Sequence, residues 1–342
     1  RPNSPTLGDL DGDGDLDLAV NIPGIDDVLT LWNDGAGDFS TPSGIDAGVG
    51  AGDLMLADTD DDGDTDLVVV EGRLTVLHVY VNAGSGELQR QTKHAAGEEP
   101  SAVSIGDLNG DGHPDVVVAN RGSNDISVQL SKGGGLFMPQ SRYGVGITPS
   151  GLALGDLDSD GTTDIVATNR ASGFLSVLRN TGDGTFADTV SVPSNSGATG
   201  VDLADLDGDG VLDVVTSNQP SGTASVFFND GNAGLAAPVN YAAGEAPAGL
   251  VATDFDGDGD ADLAVLNRSD IQLLVNDGTG QLTEHTTIDL FSSLVSIDAA
   301  DLDGDGDTDL IATQPGIESF CHVMFNTGDA TFKPRTTYRF DG

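Results

Sequence analysis

The chain has 342 residues, a formal net charge of -43 from 56 acidic against 13 basic residues, and a single cysteine, Cys321. Such a charge argues against a nucleic-acid partner or an anionic membrane surface and makes a cation the natural partner. One cysteine excludes an intrachain disulfide, and no apolar run reaches the roughly 18 residues that membrane insertion needs. Frequent Gly and Asp between short Val, Ile, Leu and Ala runs predict an all-β chain rather than a helical one.

The first element is the run "DLDGDGDLD" at 9–17, with Asp9, Asp11, Asp13, Asp15 and Asp17 at every second position. It returns as Asp58, Asp60, Asp62, Asp64 and Asp66, then as Asp107, Asn109, Asp111, His113 and Asp115. The fourth copy offers Asp156, Asp158, Asp160, Thr162 and Asp164, and the fifth Asp205, Asp207, Asp209, Val211 and Asp213. The last two contain Asp254, Asp256, Asp258, Asp260 and Asp262, and Asp301, Asp303, Asp305, Asp307 and Asp309. Successive copies start 49 residues apart, except the last pair at 47. The 33 residues after Asp309 and the 8 before Asp9 together match one more interval, as a ring cut once requires.

Between runs, each repeat carries the same order of signals. In the third, "SAVSIGDL", "DVVVAN", "DISVQLS" and "LFMPQSRYGV" read as four strands, with the aspartate run between the first two. Glycine hairpins such as "NDGAGDF" and "NTGDGTF" stand between the third and fourth. A proline recurs seven residues ahead of the run at Pro2, Pro100, Pro149 and Pro247, so the ring is expected to close without a shared strand. Four short strands per repeat and seven repeats predict a single seven-bladed β-propeller over 1–342.

Numbered within the run, positions 1, 3, 5 and 9 are Asp in every copy except Asn109, and position 6 is always Gly. Position 7 varies through Asp15, Asp64, His113, Thr162, Val211, Asp260 and Asp307. Calcium explains all three facts. It takes about six to eight oxygens, which alternating carboxylates, a turn glycine and the carbonyl of a freely variable residue supply. Magnesium suits so many carboxylates less, and zinc or copper would want His or Cys. About seven calcium ions, one per blade, are therefore expected.

These residues, in the setting "GDLDGDGxxDLxVxN" and "NxGxGxF", resemble the FG-GAP or VCBS repeats found in integrin α-subunit headpieces, a fungal lectin and bacterial surface proteins. The resemblance covers the whole chain and implies a calcium-binding propeller of bacterial type, since all seven blades carry the loop. It implies an extracellular or cell-surface, monomeric domain of a larger protein.

A meander puts the loops after the second strands on the face opposite the aspartate runs. Those loops hold Asn120-Arg121, Asn169-Arg170, Asn218 and Asn267-Arg268, with Arg73 in the second repeat. Guanidinium and amide groups are what a protein uses to grip carboxylates or sugar hydroxyls, so a glycan or extracellular protein ligand is expected there. Asn also serves as a turn former and Arg also tempers an acidic field, and that plainer role stands beside the first. Enzyme signatures are missing from the sequence, and the five histidines fall at unrelated repeat positions. A structural spacer and a polysaccharide lyase remain the alternatives to a binding module. Asn267-Arg268-Ser269 is a formal glycosylation triplet.

Overall fold

A computed structural model describes residues 5–22, 27–40, 43–46, 51–231, 234–291, 293–315 and 319–340. Among them are 28 strands and no helix, hence none long and apolar enough to cross a membrane. The strands form seven four-stranded antiparallel sheets, each made of four consecutive strands. The blades run over 5–46, 51–95, 100–144, 149–193, 198–242, 249–289 and 296–340. This is the seven-bladed, all-β propeller that the repeats predict.

The second strand of each blade explains why the sequence folds this way. Asp66–Glu71, Asp115–Asn120, Asp164–Asn169 and Asp213–Asn218 are buried at all six residues. A strand with a neighbouring blade on both faces needs apolar groups on both, so "DVVVAN" is a run instead of an alternation. Seven apolar clusters result, and each joins residues of two adjacent blades. One joins blade seven to blade one, with Leu302, Ile311 and Cys321 against Leu18, Leu31 and Phe39. The ring thus closes by packing, without a shared strand. Pro2 lies outside the described residues. Cys321 is fully buried, and burial pushes its thiol up to about 12, consistent with a packing role.

Fourth strands are shorter than the sequence predicts. In blade three the fourth strand is Ser141–Gly144, while Phe137 makes only an isolated bridge to Ser131. Pro139 separates the two pieces because it has no N–H to donate to the ladder.

Candidate functional site

In each blade the first strand ends just before position 1 of the aspartate run and the second begins on position 9, as at Gly106 and Asp115. The run is therefore a loop at one end of the blade. Its position-6 glycines have φ between 86° and 98°. A Cβ on any of them would meet nothing within 4 Å, so the backbone angle, not crowding, demands glycine.

Hydrogen bonds within the loop curl the carboxylates inward. Asp9 accepts from Gly12 N at 2.7 Å and Gly14 N at 3.0 Å. Asp107 and Asp254 repeat this with Gly110 and Gly112, and with Gly257 and Gly259. Position 5 accepts from the N–H of position 7, as from Asp15 to Asp13 at 3.0 Å. In four blades the side chain at position 7 turns to the hairpin: Asp15, Asp64, Asp260 and Asp307 lie against its first glycine, whereas Thr162 Oγ1 donates back to Asp160 Oδ1 at 2.6 Å. Only the position-7 carbonyl is left to face a cation.

Position 9 is held from two sides. One oxygen of Asp17 accepts from Leu10 N and the other from Asn33 N, both at 2.9 Å. Each oxygen keeps a second lone pair. Burial raises the position-9 carboxyls, taking Asp213, Asp262 and Asp309 to about 6 against the pull of those N–H groups. Desolvation, then the charges of Asp66 and Asp62, takes Asp60 to about 6 as well. These loops are costly as bare anions.

The remaining donors suit a hard divalent cation. Oxygens of Asp9, Asp11 and Asp13 lie within 4.8 Å of one another, as do those of Asp205, Asp207 and Asp213, and of Asp254, Asp256 and Asp262. At position 3, Asp60 Oδ1, Asp158 Oδ1, Asp207 Oδ1 and Asp303 Oδ1 are buried without a hydrogen-bond partner. A buried carboxylate oxygen with no donor is destabilising unless something positive reaches it. In blade three the amide oxygen of Asn109 takes this place and accepts from Asp111 N at 2.9 Å.

One set of residues was not anticipated from the motif. The asparagine that opens the glycine hairpin reaches down between blades. Asn82 Nδ2 donates to Leu10 O of the preceding blade's loop at 2.6 Å and to Thr65 O of its own at 3.0 Å. Asn33, Asn180, Asn229, Asn276 and Asn326 do the same, Asn33 reaching Leu302 O of blade seven. The signal was an Asn at the head of six of the seven hairpin motifs. Blade three has Ser131 there, too short to make the bridge.

On the opposite face the eight candidate residues divide. Arg73, Arg121, Arg170 and Arg268 line a central cavity of about 1310 Å³ together with Gln219. Asn120, Asn169, Asn218 and Asn267 are fully buried behind them. Asn120 accepts from Gly97 N and donates to Ser127 Oγ, both at 2.8 Å, and Asn169 and Asn218 bond Ser176 Oγ and Ser225 Oγ. These asparagines hold the turns that present the arginines. Asn267, being buried, is no glycosylation acceptor. Arg121 pairs with Glu99 at 3.1 Å and Arg268 with Glu245 at 3.8 Å, while Arg170 bonds Gln219 on the next blade. Further along the cavity wall, Asp53 and Asp202 accept from Val103 N and Ala252 N of the following blades. Burial, then the charge of Asp202, raises Asp298 to about 7. The tyrosines lie toward the rim, where Tyr241 and Tyr338 donate to Gly280 O and Gly37 O of the next blade.

Comparisons with known proteins agree with this geometry. No curated protein sequence matches the chain. Among solved structures, an Agrocybe aegerita lectin specific for non-reducing terminal N-acetylglucosamine is 20% identical with a TM-score of 0.64, covering 91% of this chain and 87% of that one. BBS1N in complex with ARL6DN is 15% identical with a TM-score of 0.66, covering 91% and 89%. A putative 6-phosphogluconolactonase from Bacteroides uniformis is 15% identical with a TM-score of 0.66, covering 92% of each. At these identities the likeness is one of fold. The model for the FG-GAP-like repeat matches residues 58–118, 107–167, 156–216 and 254–312, more than half of the chain, and the protein belongs to the FG-GAP-like repeat family.

Proposed function

We propose that this propeller is a calcium-held ligand-binding module that works outside the cytoplasm and takes an acidic glycan or a protein at the arginine-lined mouth of its central cavity. Calcium is structural in this reading. Positions 1, 3, 5 and 9 of each loop supply carboxylates, or an amide in the case of Asn109, and position 7 a carbonyl. Exposed loops of this kind match the millimolar calcium found outside cells.

The observation that carries the ligand reading is the convergence of Arg73, Arg121, Arg170 and Arg268 on one cavity in a chain with only 13 basic residues. Arg73 has no ion-pair partner among the described residues, and the Arg121–Glu99 and Arg268–Glu245 pairs are solvent-exposed. Exposed pairs contribute about 0–1 kcal/mol, so a ligand carboxylate displaces them at little cost. Propellers of the same outline bind a sugar in the Agrocybe lectin and a protein in the BBS1N complex, which supports both ligand classes.

A screen of acidic glycans and extracellular matrix proteins, run in calcium and again in chelator, tests this. Binding that weakens at least about tenfold in Arg121→Ala/Arg170→Ala is expected. A ligand that binds the double variant as well as the parent would move the site elsewhere.

A further inference from the structure

The seven loops are not alike, and blade four differs in a way the motif does not show. The last residue before the hairpin is apolar in the other blades: Trp32, Val81, Leu130, Phe228, Val275 and Phe325. Three of the large ones lie against the next blade's hairpin glycine, Trp32 at Gly86, Phe228 at Gly280 and Phe325 at Gly37. Blade four has Arg179. Its side chain is only 14% exposed, and its Nη1 turns back into its own loop, 2.9 Å from Asp158 Oδ2 and 3.4 Å from Asp164 Oδ2.

Those are positions 3 and 9 of a loop whose Asp156, Asp158 and Asp164 oxygens lie within 4.8 Å of one another as in its siblings, so the guanidinium occupies carboxylates that are otherwise spaced for a metal. Asp164 now has three donors, since it also accepts from Leu157 N at 3.2 Å and Asn180 N at 2.8 Å. Its siblings Asp213 and Asp262 have two, both backbone N–H groups. Lys333 in blade seven is a useful contrast. It touches one carboxylate, Asp303, at 3.3 Å, and its side chain is 47% exposed, so it can leave for water.

The geometry points to Arg179 as a built-in counter-ion that holds the blade-four loop closed without metal. The propeller accordingly takes six calcium ions where the motif counts seven. This rests on the proposal that the loops bind calcium. A guanidinium already paired with Asp158 and Asp164 opposes a second, divalent charge on the same carboxylates and weakens binding there by about 100-fold or more. Blade four then keeps its loop when the other six lose theirs.

The test counts calcium bound per chain, by equilibrium dialysis at a concentration that saturates the tight sites, in the parent and in Arg179→Leu. Leucine is what blade three uses at this place. Six ions in the parent and seven in the variant are expected. Seven in the parent, or six in both, would overturn the inference while leaving the calcium reading intact. No bound calcium at all would instead refute that reading. Amide exchange of the parent in chelator gives a check that needs no variant. Residues 156–164 should stay protected while the other loops exchange, and equal lability of all seven loops would remove Arg179 from this role even if no loop bound calcium.

Discussion

Asn82 shows how much one amide does in this fold. Its two N–H groups satisfy carbonyls of two loops in two blades, and it is 1% exposed. Replacing it with Ala leaves both carbonyls buried and unpaired, for an expected loss of about 2–4 kcal/mol in denaturant titration. His322 sets a pH dependence. It is buried, bonding Thr337 Oγ1 at 3.0 Å and Gln314 Oε1 at 3.4 Å. Burial, then the nearby Arg335 charge, pushes it down to about 4. Below its ordinary value of 6.5 the unfolded chain takes up a proton that the folded chain refuses, so this residue's own contribution falls as pH drops from about 6.5 to 4, opposite in sign to that of the raised carboxyls. The full effect is about 3 kcal/mol. His322→Gln should gain melting temperature relative to the parent as pH drops from about 6.5 to 4, and a difference between the two that does not change with pH would remove His322 from this role.

At the scale of strands and loops, the aspartate run was legible as the loop between the first two strands, because its glycine supplies a positive φ and its Asp-rich spacing breaks the apolar runs on either side. The second strands were equally legible from their unbroken apolar runs. Arg179 was not, because nothing in a one-dimensional repeat says whether a side chain leans on its neighbour or folds back on its own loop. The asparagines beside Arg121 and Arg170 were left between two roles for the same reason: a polar residue in a turn looks the same in sequence whether it faces a cavity or the core, and their burial bears out the turn-forming role. The joint between blades two and three adds an exception of its own. Asp61 sits at φ 65° where five siblings have glycine, and it accepts from Gly134 N at 3.3 Å and pairs with His113 Nδ1 at 2.8 Å. This contact stands where Ser131 has lost the asparagine bridge, and Gly135 N takes up Thr59 O at 3.0 Å. A double-mutant cycle on Asp61→Gly and His113→Ala should give a favourable coupling, and a value of zero would make the pairing incidental.

For the whole molecule, the decisive feature is that more than half of the 56 acidic residues are gathered into the aspartate loops at one end of the blades. Cations bound only by the folded state stabilise it by mass action. Excess chelator should lower the melting temperature by about 10 °C or more, and a melt that does not move would refute structural calcium. The ring itself was readable from the repeat count. Its mode of closure was confirmed by the apolar cluster that blades seven and one share.

Six asparagine bridges, with the Gly135 N–Thr59 O bond at the seventh joint, turn seven separate loops into a chain of neighbours that has no end. Each loop lends a carbonyl to the next blade, and Asn33 completes the circuit by taking Leu302 O. A row of repeats frays from its tips, whereas a hoop has none and must part at a seam. Ser131 marks that seam. There the exposed Asp61–His113 pair and the single Gly135 N–Thr59 O bond stand in for a buried amide that would serve two carbonyls, so this is the joint expected to part first.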